Sequence, residues 1–179
     1  MPETPEAPEA RSSIIFDNTV LSNFAAVDRV SLLEQLYRGR AYTTLMVVDE
    51  IQSGLHAGYQ HLQSAEEVLN PPHPAGWLYV LPLESAEEQA LYIEMAVSLG
   101  AGEASCLALA IARGFVLATD DLAARRTANQ RNVRLTGTVG ILIRLVREGH
   151  LSLTEANNIL AQMIALRYRA PVERLDDLV

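Results

Sequence analysis

Lysine is missing altogether: all 14 basic residues are arginine. That absence excludes Walker-type phosphate binding, Schiff-base chemistry and any catalytic lysine. Cysteine is nearly missing too. The single Cys106 rules out an internal disulfide and suits a reducing cytoplasm, and its place in the apolar stretch 106–112 reads as a buried structural thiol rather than a nucleophile. No apolar run approaches the roughly 20 residues of a membrane-spanning helix, so no membrane partner is expected. The four histidines make no ligand set. His56 and His61 stand five apart, the wrong spacing for one helix face, His73 falls in a proline-rich stretch, and His150 follows a glycine. A net charge of −8 argues against nucleic-acid binding by charge alone, although Glu3, Glu6 and Glu9 of the opening segment contribute part of it.

What is present describes one globular domain. At 179 residues, 49% hydrophobic and 20% charged, the chain is long enough to bury a substantial core. Its opening, MPETPEAPEA, has no apolar stretch and reads as a disordered acidic lead-in over residues 1–11, neither signal nor anchor. Short apolar runs at 12–16, 41–44, 77–81, 115–119 and 133–135 predict strands. Between and after them, amphipathic stretches at 20–27, 31–37, 45–55, 59–69, 85–99, 103–113, 122–130, 138–148 and 152–167 predict helices. Asn18 or Thr19 is the expected cap of the first helix, and Ser85 with Glu88 forms a capping-box pattern. From Pro171 the chain reads as a polar tail. Strands alternating with helices imply a three-layer α/β/α sandwich around a short, mostly parallel sheet.

In such a sheet the ligand crevice lies beyond the carboxyl ends of the strands. Separated acids fall at or near that edge. Asp17 follows the first strand, Asp120 and Asp121 follow the run 114–119, Glu103 opens a helix after Gly100-Ala101-Gly102, and Glu50 sits within the helix at 45–55. Gathered carboxylates without a cationic side chain between them are costly unless a hard divalent cation binds. Two of them about 5 Å apart repel by about 3 kcal/mol at an effective dielectric near 20. The combination points to metal-dependent phosphodiester chemistry.

The same segments, in the same order from Ile14 to Arg147, resemble the PIN domain family, and within it the VapC-like toxins. Asp17-Asn18-Thr19-Val20-Leu21-Ser22-Asn23-Phe24 is similar to the family's first acidic motif. Val47-Val48-Asp49-Glu50-Ile51 is similar to the second, Leu99-Gly100-Ala101-Gly102-Glu103-Ala104 to the third, and Leu117-Ala118-Thr119-Asp120-Asp121 to the fourth. Thr136-Gly137-Thr138 adds a Gly-Thr step seen in some bacterial subfamilies. The resemblance implies a PIN-like nuclease domain over 12–150, and residues 151–179, which extend beyond the resemblance, are expected as a C-terminal helical extension of the same domain. It implies a Mg²⁺- or Mn²⁺-dependent ribonuclease, with Asp17, Glu103 and Asp121 as metal ligands and Glu50 aiding the attacking water. Asp120 stays beside Asp121 as the other candidate, since the family's Thr-x-Asp spacing selects Asp121 while both residues are aspartate. Thr119, Arg125 and Arg126 are the expected substrate-side residues, with Arg131 and Arg134 near them in sequence. For partners, the resemblance implies RNA, a cognate antitoxin and a homodimer.

Two other classes compete. A haloacid-dehalogenase-type phosphatase also opens on a strand ending in Asp, but Thr19 stands where its second Asp would be and its lysine is missing. A PIN-like module that binds RNA or protein without cutting remains the alternative to the nuclease.

Overall fold

The computed structural model describes residues 12–179, so the expected lead-in over 1–11 lies outside the described residues. Six strands form one sheet: β1 (Ile14–Phe16), β2 (Ala41–Thr44), β3 (Leu69–Asn70), β4 (Leu78–Leu81), β5 (Val116–Ala118) and β6 (Leu135–Thr136). Their order is β3-β4-β2-β1-β5-β6, and every pairing is parallel. From β1 the chain adds β2, passes to the edge strand β3, comes back to place β4 between β3 and β2, and then crosses to the other side of β1 with β5 and β6. The order therefore reverses beside β1, the position where doubly wound sheets open a crevice.

All three residues of β1 are buried. Successive strand side chains point to opposite faces, so both faces of the sheet are covered. The helices are α1 (Asn18–Ala26), α2 (Val30–Tyr37), α3 (Leu45–His56), α4 (Gln63–Glu66), α5 (Ala86–Met95), α6 (Ala101–Arg113), α7 (Leu122–Gln130), α8 (Thr138–Arg147) and α9 (Leu153–Ala165). The long apolar α6 runs against β1, β2 and β5 with α3 and α5 beside it, while α1 gathers with α2, α8 and α9. Phe16 and Tyr37 meet edge to face at 5.5 Å in the core between strand and helix. The α/β sandwich expected from the alternation of elements is the fold observed, with a wholly parallel sheet among the described strands.

Three local readings change. The helix expected over 59–69 is a 3₁₀ turn (Gln60–Leu62), the short α4, and then strand β3. Leu69 is fully buried beside Leu78 of β4, and that lateral pairing overrides a helical pattern already ending at prolines. The first helix is capped by Asp17 itself, not by Asn18 or Thr19. The tail beyond Pro171 folds back onto the domain. Leu175 is fully buried, its amide donates to Asn157 Oδ1 at 2.8 Å, and Arg147 holds the Leu178 carbonyl at 2.9 Å. No described helix is long and apolar enough to cross a membrane.

Candidate metal centre

Because Phe16 of β1 lies opposite Ala118 of β5, the next residues of both strands, Asp17 and Thr119, emerge side by side. The Asp17 amide continues the ladder to the Ala118 carbonyl at 3.1 Å. Asp17 then turns into α1 as its N-cap, a role an acid fills well because helix N-termini present unpaired amides and partial positive charge. Its Oδ1 accepts from the Thr19 amide (3.0 Å), the Thr19 hydroxyl (2.6 Å) and the Val20 amide (3.3 Å), and its Oδ2 accepts from the Thr119 hydroxyl. The side chain is 1% exposed. Burial pushes its carboxyl up to about 7, against the pull of those hydrogen bonds, and the charge of Asp120 adds to the rise.

Asp120 is gripped from four sides. It accepts from Asn23 Nδ2 (3.0 Å), the Thr138 amide (3.0 Å), the Thr138 hydroxyl (2.5 Å) and the Tyr168 hydroxyl (3.2 Å). Its own amide donates to Thr19 Oγ1 at 2.9 Å, so Thr19 bridges the two acids. A side chain at Gly137 would put a Cβ 2.5 Å from Asp120 Oδ1, so any larger residue there would displace the Asp120 carboxylate. Asp121 caps α7, accepting from the Ala124 amide at 2.8 Å. Glu50, half-buried on α3, accepts from the Gly102 amide at 2.8 Å. Burial raises its carboxyl, the Gly102 amide opposes the rise, and the neighbouring Glu103 adds to it. A Cβ on Gly102 would lie 2.5 Å from Glu50 Oε1. Glu103 is the third residue of α6 rather than its first, and it reaches back to the Gly100 amide at 2.7 Å.

Glu50, Glu103, Asp120 and Asp121 line one cleft of about 580 Å³, together with Asn18, Thr19 and Asn23. Asp17 borders it through Asn18 and Thr19 and is not itself a lining residue. The expected metal ligands are thus brought to one region without forming a finished set. Among the described residues, no three of His, Cys, Asp and Glu converge to hold an ion, and Glu103 and Asp121 each bond an amide at a helix N-terminus. The donor chemistry nevertheless fits a hard cation. Every candidate ligand is oxygen, and Asn18 Oδ1 at the cleft is buried with no hydrogen-bond partner. Among the described residues, no ion pair involves Asp17, Glu50, Glu103, Asp120 or Asp121. Mg²⁺ in particular takes few protein carboxylates and keeps several waters.

The arginines that follow the last acidic motif separate in space. Arg125 donates to the Thr119 and Thr136 carbonyls (2.8 and 3.0 Å), strapping the ends of β5 and β6 together. Arg126 is exposed on α7. Arg131 pairs with Glu94, and Arg134 holds Ser12 Oγ and the Gly114 carbonyl near the opposite edge of the sheet. Thr119 is fully buried, and its hydroxyl serves Asp17 and the Asp121 amide. Sequence reading gave Thr19, Asn23, Thr138 and Tyr168 no part in holding the acids. The first three lay inside segments already noted for their acids or their Gly-Thr step. Tyr168 carried no signal, since its contact with Asp120 is made only when α9 packs.

No curated protein matches this chain. Among solved structures, a chain of VapBC2 from Rickettsia felis, bound to a DNA fragment from their promoter, aligns over 69% of this chain and 98% of its own, with 18% identity and a TM-score of 0.47. A family model described as PIN domain matches residues 13–179, which carries the likeness past Arg147 through α9 and the folded tail, and the chain belongs to the PIN domain family.

Proposed function

We propose that this protein is a Mg²⁺- or Mn²⁺-dependent endoribonuclease. The observation that carries the reading is a buried, unpaired Asp17 coupled to Asp120, at the sheet's switch point, beside an orphaned Asn18 oxygen. A hard divalent cation bound there would neutralise these acids, polarise the scissile phosphate and acidify a water. Asp17 is the central ligand in this reading, with Glu103 and Asp121 reaching the ion directly or through water and Asp120 as the alternative to Asp121. Thr19 and Thr119 orient Asp17 through their hydroxyls. Glu50, its carboxyl raised by burial, takes the proton of the water that attacks phosphorus as the bond to the leaving ribose oxygen breaks. Arg126 is assigned to substrate phosphate. Arg125 and Thr119 are assigned to holding the strand ends, which is supported by their hydrogen bonds. A role as the toxin of a toxin–antitoxin pair, and a homodimer, belong to the same reading on family resemblance alone.

The test is cleavage of single-stranded RNA with Mg²⁺, with Mn²⁺ and with EDTA, for wild type and Asp17→Asn. Wild type cleaves only with metal, and the variant loses at least about 10³-fold, about 4 kcal/mol of transition-state stabilisation. Millimolar Mg²⁺ also raises the Tm of wild type but not of the variant, since a ligand that binds only the folded state stabilises it. RNA binding without cleavage by wild type would transfer the assignment to a non-catalytic module.

A further inference from the structure

Five helices end in the same hydrogen-bond motif. At the ends of α1, α3, α7, α8 and α9 the amides of two successive residues bond back to carbonyls of the last turn: Asp28 and Arg29 to Ala25 and Phe24, Gly58 and Tyr59 to Leu55 and Gly54, Asn132 and Val133 to Asn129 and Ala128, Gly149 and His150 to Val146 and Leu145, Arg167 and Tyr168 to Ile164 and Met163. The motif forces its first residue into the left-handed region, with φ of 54°, 96°, 55°, 78° and 78° respectively. Asp, Asn and Gly are the residues that tolerate this conformation. Arginine is not, so α9 keeps a strained residue where its four counterparts use a compatible one. Strain retained at one place directs attention to what that side chain does.

Arg167 and Arg169 are exposed, and both line the acid cleft. Tyr168 between them is anchored by its hydroxyl on Asp120 at 3.2 Å. Most described arginines are engaged: Arg38 with Glu34, Arg113 with Glu88, Arg131 with Glu94, Arg174 with Asp176. Arg167 and Arg169 have no hydrogen-bond or ion-pair partner among the described residues. Arg169 also borders a second hollow of about 590 Å³ that shares Asp120 and Tyr168 with the first. Two free guanidinium groups on the rim of an acidic cleft complement a chain of phosphates whose scissile link lies over the acids.

We propose that the segment Arg167-Tyr168-Arg169 is a phosphate clamp for single-stranded RNA, with Arg167 and Arg169 each taking a backbone phosphate beside the cleft and Tyr168 fixing the segment to Asp120. This rests on the nuclease reading for the identity of the strand. It is a sequence-independent clamp, since the phosphate backbone carries no base information.

The test is fluorescence polarisation of a short labelled oligouridylate in EDTA, across a KCl series, with the full-length protein. Arg167→Gly relieves the left-handed strain, so its Tm stays level or rises by about 2–4 °C while its RNA binding weakens. For the double variant Arg167→Gly/Arg169→Ser, the slope of log affinity against log salt falls by about 0.7 for each arginine removed. Arg38→Gln/Arg174→Gln removes the same charge elsewhere and leaves the slope at its wild-type value. An unchanged slope in the folded double variant overturns the clamp, as does an equal loss in the control or an absence of RNA binding by wild type. Failure of the nuclease reading is seen separately: wild type that shows the arginine-dependent slope but never cuts RNA with Mg²⁺ keeps the clamp and loses the nuclease.

Discussion

Asp17 and Glu88 are the two almost wholly buried acids among the described residues, at 1% and 5% exposure, and each stands at a helix N-terminus. Glu88 completes the capping box of α5, accepting from the amides of Glu84 (2.7 Å) and Ser85 (3.1 Å), and it meets Arg113 Nε at 2.7 Å. The Arg113 guanidinium holds its carboxyl down at about 2. Asp17 accepts four hydrogen bonds to the three of Glu88 but has no cation, and burial carries it up to about 7. Burial and capping are common to both sites. What separates them is the counter-charge: the α5–α6 acid is neutralised from within the chain, and the acid beside the cleft has no cationic partner among the described residues.

The sharpest way to break this comparison is pH, because the two acids act with opposite sign. Asp17 has a folded value above its ordinary 3.8, so its protonated form favours folding. Its contribution is complete below about 4 and is lost as pH rises toward about 7, a change of up to about 4 kcal/mol. Glu88 has a folded value below its ordinary 4.5, so its contribution is complete above that value and is lost as pH falls toward about 2, up to about 3 kcal/mol. Urea melts in EDTA therefore show maximal stability near pH 4–5. Asp17→Asn flattens the side above the maximum and Glu88→Gln the side below it. A stability that climbs steadily to pH 7.5 in the metal-free wild type would remove the contrast.

Glu88→Gln leaves Arg113 without its buried partner and costs about 2–3 kcal/mol, lowering Tm by roughly 4–10 °C, while metal-dependent cleavage at a temperature where the variant is folded stays at the wild-type rate. Differential scanning calorimetry beside an RNA cleavage assay checks both halves, and a loss of cleavage out of proportion to stability would make the α5–α6 pair part of the active machinery. Tyr168→Phe is the smallest perturbation. It removes one of four donors to Asp120, shifts Tm by only a few degrees, and lowers cleavage by up to about 10-fold, the effect of losing an outer-shell partner of a metal ligand. Equal cleavage rates for wild type and Tyr168→Phe would reduce that contact to packing.

The acids illustrate how much of the site could be read in advance. Asp17 and Asp120 follow strands whose apolar runs are plain in the chain, so their arrival at one sheet edge followed from the alternation of elements. The choice between Asp120 and Asp121 did not. The two adjacent acids line the same cleft, and only the packing of α7 and α8 makes Asp121 a helix cap and holds Asp120 to Asn23, Thr138 and Tyr168. The arginines after the last acidic motif looked like one group in sequence, yet Arg134 ends near Ser12 and Arg131 on Glu94. Arg125 and Arg126 lie on α7, whereas Arg131 is its C-cap and Arg134 stands beyond it just before β6, so the chain has carried them to the other end of the strands. The basic side chains that do border the cleft come instead from the end of α9, a segment with no functional signal of its own.

Local periodicity, capping residues and turn chemistry were enough to determine a parallel α/β sandwich with carboxylates at its switch point, because those signals act over a few residues. The burial that lifts Asp17, the counter-charge that Glu88 has and Asp17 lacks, and the arrival of Arg167, Tyr168 and Arg169 at the cleft were decided only in three dimensions. Desolvation and Coulomb energy depend on what surrounds a group in space, and for these residues the surroundings come from elements distant in the chain.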